Sequence, residues 1–370
     1  MKNKLALFLS AIFILIVLTS LSSAWIVPGS HDTISKMALD KMGDGTQISR
    51  IVSENFDDFS TCTSITDYSV FLYFTEGFNS IGKTYLASHS GVTVCLRAIE
   101  LADKNNPRQL ACAYGICAMS LEDSPSHNGF VPGVIEKTGL VNGLVHAPAE
   151  QCVDNKISTK QTNLEGRQAL ANNYQYHRDF LIRVFASDSR TSDIDVPKMM
   201  DAFVSEVAQS SKYSVGFRGF TAVPTSIHVL MLFLFLLFLF LLAKLIKKKN
   251  KTIFGKIYIG ILLFFLMLII LIYILYFNGT LWKAFQGLSK PLCWVMPTSG
   301  YETYVNQAVN NMVNFYNNGV SVLYTIPDPS GLNALQSASK KNTWKIYLTS
   351  ILILLASVIY TIVKRNRKNK

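Results

Sequence analysis

Charged residues are scarce in this chain of 370 residues, where they make up 16% against 49% hydrophobic residues. A chain of this composition can bury a core and is not intrinsically disordered. Three apolar runs, at 229–243, 257–277 and 346–363, contain no charged residue at all. Their lengths approach the ~20 residues with which a helix crosses a bilayer, so they predict three membrane helices. The lack of acids and arginines at mid-depth argues against an ion-coupled transporter or channel.

The signatures of several enzyme classes are also missing. The sequence has no GxSxG nucleophile elbow, no phosphate-cradling GxxxxGKS or GxxxxGKT, no HExxH and no GxGxxG. It has no CxxC pair of the kind that holds a zinc ion through thiolates. Any chemistry must therefore come from residues that are dispersed along the chain.

The net charge of +11 is concentrated beside the apolar runs. Residues 244–256 hold six Lys and no acid, and residues 364–370 hold five basic residues and no acid. Basic flanks of this kind mark cytoplasmic loops. The long segment 25–225 has 17 Lys and Arg against 22 Asp and Glu. Its mildly acidic balance argues against a nucleic-acid platform.

The N-terminus has the pattern of a secretory signal. Lys2 and Lys4 precede the apolar stretch Leu5–Leu18, and Ser22 and Ala24 place small residues at a cleavage site. We expect residues 1–24 to be removed and the mature chain to begin at Trp25, outside the cytoplasm. An uncleaved anchor is the alternative.

Together these patterns predict a multi-pass protein of the cell membrane whose main domain is extracytoplasmic. The bilayer is its expected partner. The predicted parts follow in chain order: signal peptide 1–24, extracytoplasmic domain 25–225, membrane helix 227–245, cytoplasmic basic loop 246–253, membrane helix 254–277, second extracytoplasmic segment 278–344, membrane helix 345–363 and cytoplasmic tail 364–370.

All six cysteines fall in the two predicted exterior segments, where disulfides persist. The first segment holds five of them, which is an odd number, and the second holds Cys293. A bridge to Cys293 would join the two segments. Six cysteines allow fifteen pairings, so the partners stay open.

The exterior domain is predicted to be all-α, with six or seven helices. Apolar residues recur at helical spacing over 33–42, 92–102, 164–185 and 197–210, and Pro107 is placed to start a helix that runs to about Leu121. Residues 301–316 show the same spacing in the second segment. We expect that helix to pack on the main domain or on the membrane surface.

Histidines and acids then provide candidate metal ligands. His146 and Glu150 are four apart, so a helix places both side chains on one face. His127 could complete a set of three protein ligands and leave a position for water, as in catalytic zinc sites. Asp123 has two carboxylate oxygens and could bridge two metal ions. His31 and His89 occur earlier in the chain.

The order of these residues resembles the zinc-dependent phospholipase C family, which shares its helical fold with the single-strand-specific zinc nucleases. The resemblance covers roughly residues 25–185. It implies two or three zinc ions, of which one is held by the Trp25 amine and carbonyl, His31 and Asp123. It implies that a second is held by His127, His146 and Glu150.

For the third ion the resemblance implies Asp123, His89, a histidine four residues before the bridging aspartate, and an upstream aspartate. That aspartate is Asp67, with Asp57 or Asp58 as rivals. At the histidine position this chain has Met119, whose thioether is a poor zinc ligand. The sequence therefore departs from the family at this ion.

The resulting hypothesis is a membrane-anchored zinc hydrolase of phosphoesters, in which Asp123 bridges metal ions and Asp67 positions or deprotonates the attacking water. Anchoring beside the bilayer favours phospholipid head groups as substrate. One alternative is a catalytically impaired relative that acts as a tethered interaction or sensing module. A weaker alternative is a zinc nuclease.

Overall fold

The computed structural model describes residues 29–43, 45–71, 92–140, 142–192, 194–212, 293, 296–340 and 342. Every regular element within these ranges is helical, which confirms the prediction of an all-α fold for this part of the chain. None of the helices in the described ranges is long and apolar enough to cross a membrane. The predicted signal peptide, Trp25, His89 and the three predicted membrane helices lie outside these ranges.

Ten α-helices of the described ranges are numbered in chain order. They are α1 (Gly29–Met42), α2 (Gln47–Glu54), α3 (Phe56–Ile65), α4 (Val92–Leu101), α5 (Pro107–Pro125), α6 (Val131–Thr138), α7 (Asn142–Ile157), α8 (Lys160–Ala186), α9 (Val196–Lys212) and α10 (Tyr301–Asn318). Short 3₁₀ helices cover Thr66–Phe71, Ser189–Thr191 and Gly319–Tyr324, and a π-helical turn covers Ser126–Phe130. Residues 332–340 are also helical.

Local sequence explains where the longer helices begin. The Asn106 side chain accepts a hydrogen bond from the backbone N–H of Gln109, and Pro107 follows as the first residue of α5. The Thr159 side chain caps α8 in the same way through Thr162. α5 continues past the predicted end near Leu121 to Pro125 and then into the π-helical turn, so Asp123 lies on the helix itself.

Helix α5 is the centre of the fold. It packs against α3 and α4 on one side and against α10 and α1 on the other. At Gly115 the backbones of α5 and α3 approach so closely that a side chain there would collide with the Phe59 carbonyl oxygen. Disulfides Cys62–Cys112 and Cys95–Cys117 fasten α3 and α4 to α5.

The second segment is part of the same body of packed helices. Val305, Val309 and Met312 of α10 are buried in a cluster with residues of α1 and α5. This confirms the expectation that the helix predicted over 301–316 packs on the main domain. The expected bridge to Cys293 is also confirmed, and its partner is Cys152 on α7.

The predicted number of helices was wrong. The described residues between 29 and 212 form nine α-helices rather than six or seven. The five helical stretches located from the sequence omitted α2, α3, α6 and α7. Every residue of α3 from Asp58 to Ile65 is buried. A helix that is covered on all sides shows no alternation of apolar and polar faces, so periodicity could not reveal it.

Candidate metal centre

Two groups of side chains in the described ranges bring three potential metal ligands within 4.8 Å of one another. The first group is Cys62, Cys112 and His177. Its two sulfurs form a disulfide, and a disulfide offers no thiolate to a metal. The second group is His127, His146 and Glu150, the set that the sequence predicted.

Two neighbouring elements create this second group. Helix α7 carries His146 and Glu150 one turn apart, and the π-helical turn after α5 carries His127. The Nε2 atoms of His127 and His146 lie 3.1 Å and 3.3 Å from the same Glu150 oxygen, Oε1. The two imidazole rings meet edge to face with centroids 4.7 Å apart. Both imidazoles are buried, whereas the Glu150 side chain is 24% exposed.

A second histidine–carboxylate contact joins α1 to α5. His31 Nε2 lies 3.8 Å from Asp123 Oδ1. Its other nitrogen, Nδ1, lies 2.7 Å from Glu122 Oε2. The second Glu122 oxygen accepts a hydrogen bond of 2.5 Å from the Ser35 hydroxyl. Glu122 is therefore held by two groups of α1 and in turn fixes the His31 ring.

The three imidazoles share one arrangement. In each ring Nδ1 faces an oxygen: Glu122 Oε2 for His31, the Pro329 carbonyl at 2.8 Å for His127, and Asn142 Oδ1 at 3.1 Å for His146. These oxygens accept hydrogen bonds, so Nδ1 is the nitrogen that donates. The remaining nitrogen, Nε2, faces Asp123 or Glu150 in every case. An outer-shell acceptor on one nitrogen is the usual setting of a histidine that binds metal through the other.

A cavity of about 90 Å³ lies beside these histidine–carboxylate contacts. His31 lines it together with five acids, namely Asp67, Glu122, Asp123, Glu150 and Asp154. No Lys or Arg occurs among the described residues that line it. Its lining also contains apolar side chains, among them Phe130, Tyr304 and Val305. The volume holds several water molecules or an ion with its water ligands.

Burial raises the pKa of the acids that have weak partners. It raises the pKa of Asp67 to about 7, and the negative charge of Glu150 adds to the effect. It raises the pKa of Asp154 to about 6. The Glu122 pKa is also raised by burial, despite the hydrogen bond with His31. Burial is thus the largest influence on the pKa of these three acids.

The imidazoles respond to the same negative charge. Burial lowers the pKa of His31, but the hydrogen bond and charge of Glu122 outweigh it and bring the pKa to about 10. For His127 burial is outweighed by Asp123 and Glu150, which raise the pKa to about 9. Burial lowers the pKa of His146. The Glu150 pKa is held well below its usual range, since the two imidazoles outweigh burial.

The structure distinguishes the three candidates for the upstream aspartate. Asp67 lines the cavity, at the start of the 3₁₀ helix Thr66–Phe71. Asp57 is exposed on α3. Asp58 is buried elsewhere, where its carboxylate accepts hydrogen bonds from Arg108 and lies 2.7 Å from His177 Nε2. Of the three, only Asp67 is in a position to act in this cavity.

The other predicted residues divide in the same way. His31, Asp123 and Glu150 line the cavity. His127 and His146 are not among its lining residues but contact the Glu150 carboxylate. Trp25 and His89 lie outside the described residues. Met119 lines the cavity, so the departure from the family pattern falls inside the site.

Sequence reasoning missed two acids of the site. Glu122 directly precedes Asp123, and Asp154 continues the spacing of four residues from His146 through Glu150. The latter spacing was a usable signal, because it places a third polar side chain on the same face of α7. No comparable spacing in the sequence indicates that Glu122 would contact His31. Comparison with models of protein families, with curated proteins and with solved structures finds no match to this chain.

Proposed function

We propose that this protein binds zinc in the cavity between α1, α5 and α7, and that it is a membrane-anchored, extracytoplasmic phosphoester hydrolase similar to phospholipase C. One observation carries the proposal. Three histidines from three elements each hold Nδ1 against an oxygen acceptor and turn Nε2 toward an acid of the cavity. This is the arrangement that fixes an imidazole as a metal ligand.

One of the three distances between a histidine Nε2 and a carboxylate oxygen matches zinc ligation. Two ligand atoms that each lie ~2.0–2.2 Å from one tetrahedral zinc ion are about 3.3–3.6 Å apart. The separation of 3.3 Å between His146 Nε2 and Glu150 Oε1 falls in this range. The His127 Nε2 contact at 3.1 Å is of hydrogen-bond length, and the His31 Nε2 contact at 3.8 Å is longer than the range, so an ion would require these two side chains to shift. The contact between His31 Nδ1 and Glu122, at 2.7 Å, is shorter than all three and is also of hydrogen-bond length. Glu122 is therefore assigned an orienting role.

The charge of the cavity supports a cation. Five carboxyl groups line it with one imidazole, and the described lining contains no Lys or Arg. Burial raises the pKa of Asp67 to about 7, and the negative charge of Glu150 adds to the effect. A divalent cation would neutralise the acids and displace the protons from Nε2. The acids and imidazoles present are ligands that zinc accepts.

Each residue then has a role in the proposed chemistry. His127, His146 and Glu150 would hold one ion, and His31 with Asp123 would contribute to another together with the Trp25 amine. Zinc in such a site would supply Lewis acidity and lower the pKa of a bound water. Asp67 faces the cavity and would orient that water or accept its proton. Asp123 lies between the two histidine groups, and its charge acts on His31, His127 and His146.

The apolar part of the cavity lining and the predicted membrane helices favour a phospholipid substrate. Phe130, Tyr304 and Val305 line the same cavity as the acids and could accept the apolar part next to a phosphate. Three disulfides agree with an oxidising, extracytoplasmic location. The predicted signal peptide and the three membrane helices would place the cavity beside the outer face of the bilayer.

The direct test is hydrolysis by the purified full-length protein. The protein is stripped with a chelator, reloaded with zinc and supplied with vesicles of phosphatidylcholine and phosphatidylethanolamine. We expect release of phosphocholine or phosphoethanolamine that requires the metal. A zinc-loaded protein that releases neither product would contradict the proposed phospholipase C activity. Digestion of single-stranded DNA in a parallel reaction would support the nuclease instead.

Met119 favours a second candidate, in which the helical fold has been kept as a membrane-tethered interaction or sensing module. Its thioether lines the cavity where an additional imidazole is expected from the family. In this case the parent protein is inactive and Met119→His gains activity, whereas Met119→Leu stays inactive. Normal activity in the parent eliminates this candidate.

A further inference from the structure

The loop that follows α10 lies directly on the element that carries His127. Residues 327, 328 and 329 each direct a backbone carbonyl at the end of α5 and its π-helical turn. The Pro327 oxygen accepts from the Ser124 hydroxyl at 2.8 Å, and the Asp328 oxygen accepts from Asn128 Nδ2 at 2.7 Å. Between these two contacts, the Pro329 oxygen lies 2.8 Å from His127 Nδ1.

The loop is shaped for this contact by its own hydrogen bonds. The Asp328 carboxylate accepts from the Ser330 backbone N–H at 3.1 Å and from the Ser330 hydroxyl at 2.7 Å. Gly331 has φ +55°, and a methyl group there would lie within 2.6 Å of the His127 backbone carbon. Only glycine meets both requirements, a left-handed backbone and close contact with His127.

We propose that the loop 327–331 is a positioning element of the metal centre, in which the Pro329 carbonyl holds the His127 imidazole with Nε2 directed at Glu150. The loop belongs to the second segment, which lies outside the stretch that resembles the phospholipase family. The proposal rests on the proposed zinc site, and it assigns the second segment a role in that site beyond packing.

The contact with the Pro329 carbonyl restricts the orientation of the His127 imidazole ring. A buried imidazole can rotate about its side-chain bonds unless both nitrogens are engaged. The Pro329 oxygen engages Nδ1 as an acceptor, so the other nitrogen is left to the metal. The hydrogen bonds of Ser124 and Asn128 lie on either side of His127 in the chain and hold the loop in place against the His127 side chain. Displacing the loop would release the ring without altering any proposed ligand.

The test compares two glycine substitutions in the full-length protein. Gly331→Ala forces the loop away from His127. Gly300→Ala is the control, because Gly300 also has positive φ, at +84°, but has nothing within 4 Å of an added methyl group. Loss of an outer-shell partner typically weakens metal binding about 10–100-fold, which is the decrease that we expect for Gly331→Ala. The control should bind zinc as the parent does.

Zinc affinity is measured by competition with a chromophoric chelator, well below the unfolding temperature of each metal-free variant. The visible spectrum of the cobalt-substituted protein reports the ligand geometry, which a merely structural role of the loop would leave unchanged. Asn128→Ala removes the Asp328 contact and serves if Gly331→Ala does not fold. We expect a smaller decrease in affinity in the same direction.

The outcomes separate this inference from the proposed function. If the parent, Gly331→Ala and Asn128→Ala all bind zinc equally well and have the same cobalt spectra, the positioning role is wrong and the zinc site stands. If the parent binds no zinc, the proposed site fails, and the inference fails with it.

Discussion

Two buried clusters of histidine and carboxylate lie at opposite ends of α5, and they have different surroundings. At the N-terminal end, Asp58 lies 2.7 Å from His177 and accepts two hydrogen bonds from Arg108. Near the C-terminal end, Glu150 meets His127 and His146. The helix rises ~1.5 Å per residue, so Arg108 and Asp123 are roughly 22 Å apart along it.

The difference lies in charge balance and open space. The Asp58 carboxylate is matched by the guanidinium of Arg108 and by His177, next to the disulfide Cys62–Cys112. The Glu150 carboxylate shares a cavity with four other acids, and no Lys or Arg occurs among the described residues that line it. A buried imidazole–carboxylate pair is thus a candidate metal site only where the neighbouring charge remains negative and an ion has room. The first cluster stabilises the fold, whereas the second is the candidate site.

The largest expected effect comes from Glu150→Gln, which removes the acid that both imidazoles face. A structural zinc site gains ~10–16 kcal/mol from about four ligands, so losing one, at about 3 kcal/mol, should weaken zinc binding by roughly 100-fold or more. Zinc affinity is measured by chelator competition. Glu165→Gln is the control, because Glu165 is an exposed acid on α8 whose carboxylate contacts Lys36 and Gln161, away from the cavity. Equal zinc affinities in Glu150→Gln and Glu165→Gln would show that the cluster at Glu150 is not a zinc site.

The next effect is on stability and concerns the first cluster. Asp58→Asn removes the carboxylate that Arg108 and His177 Nε2 contact, and losing hydrogen bonds to a charged group costs about 2 kcal/mol in free energy of unfolding. We expect that loss in urea unfolding, with zinc affinity unchanged. Asp201→Asn is the matched control, because Asp201 binds Arg178 with the same two-pronged geometry on the surface. A stability loss as small as in the control, or a fall in zinc affinity, would contradict the assignment.

The smallest effect is the pH dependence of the same cluster. Burial alone would raise the pKa of Asp58, but the hydrogen bonds of His177 and Arg108 outweigh it and lower the pKa in the folded state. A lowered folded pKa gives stability that is present above the unfolded value and is lost as pH falls through the folded value. The free energy of unfolding should therefore fall as the pH drops below roughly 5, and less steeply in Asp58→Asn. Parallel curves for parent and variant would refute the contribution of Asp58.

Part of the site was predictable from the sequence because helical geometry fixes it. A spacing of four residues places His146 and Glu150 on one face of α7 whatever the fold around them. The resemblance to a zinc family then indicated that Asp123, His127 and His31 would join them. In the structure His31 and Asp123 line the same cavity as Glu150, and His127 Nε2 lies 3.1 Å from the Glu150 carboxylate.

The remainder depends on contacts that local patterns do not encode. The acceptor for His127 Nδ1 is a backbone carbonyl at Pro329, 202 residues further along the chain. Glu122 acts through a hydrogen bond with α1 across 91 residues. Helix α3 is covered on all sides, so its sequence lacks the periodicity that identifies surface helices. Tertiary packing determines all three features.

Zinc content per chain tests the central claim most directly. The full-length protein, its Glu150→Gln variant and its His177→Ala variant are each incubated with zinc, dialysed against metal-free buffer and analysed by mass spectrometry of the metal. We predict stoichiometric zinc in the parent and in His177→Ala, and a clear loss of zinc in Glu150→Gln. A parent protein that retains no zinc, or a Glu150→Gln variant that retains all of it, would contradict the account.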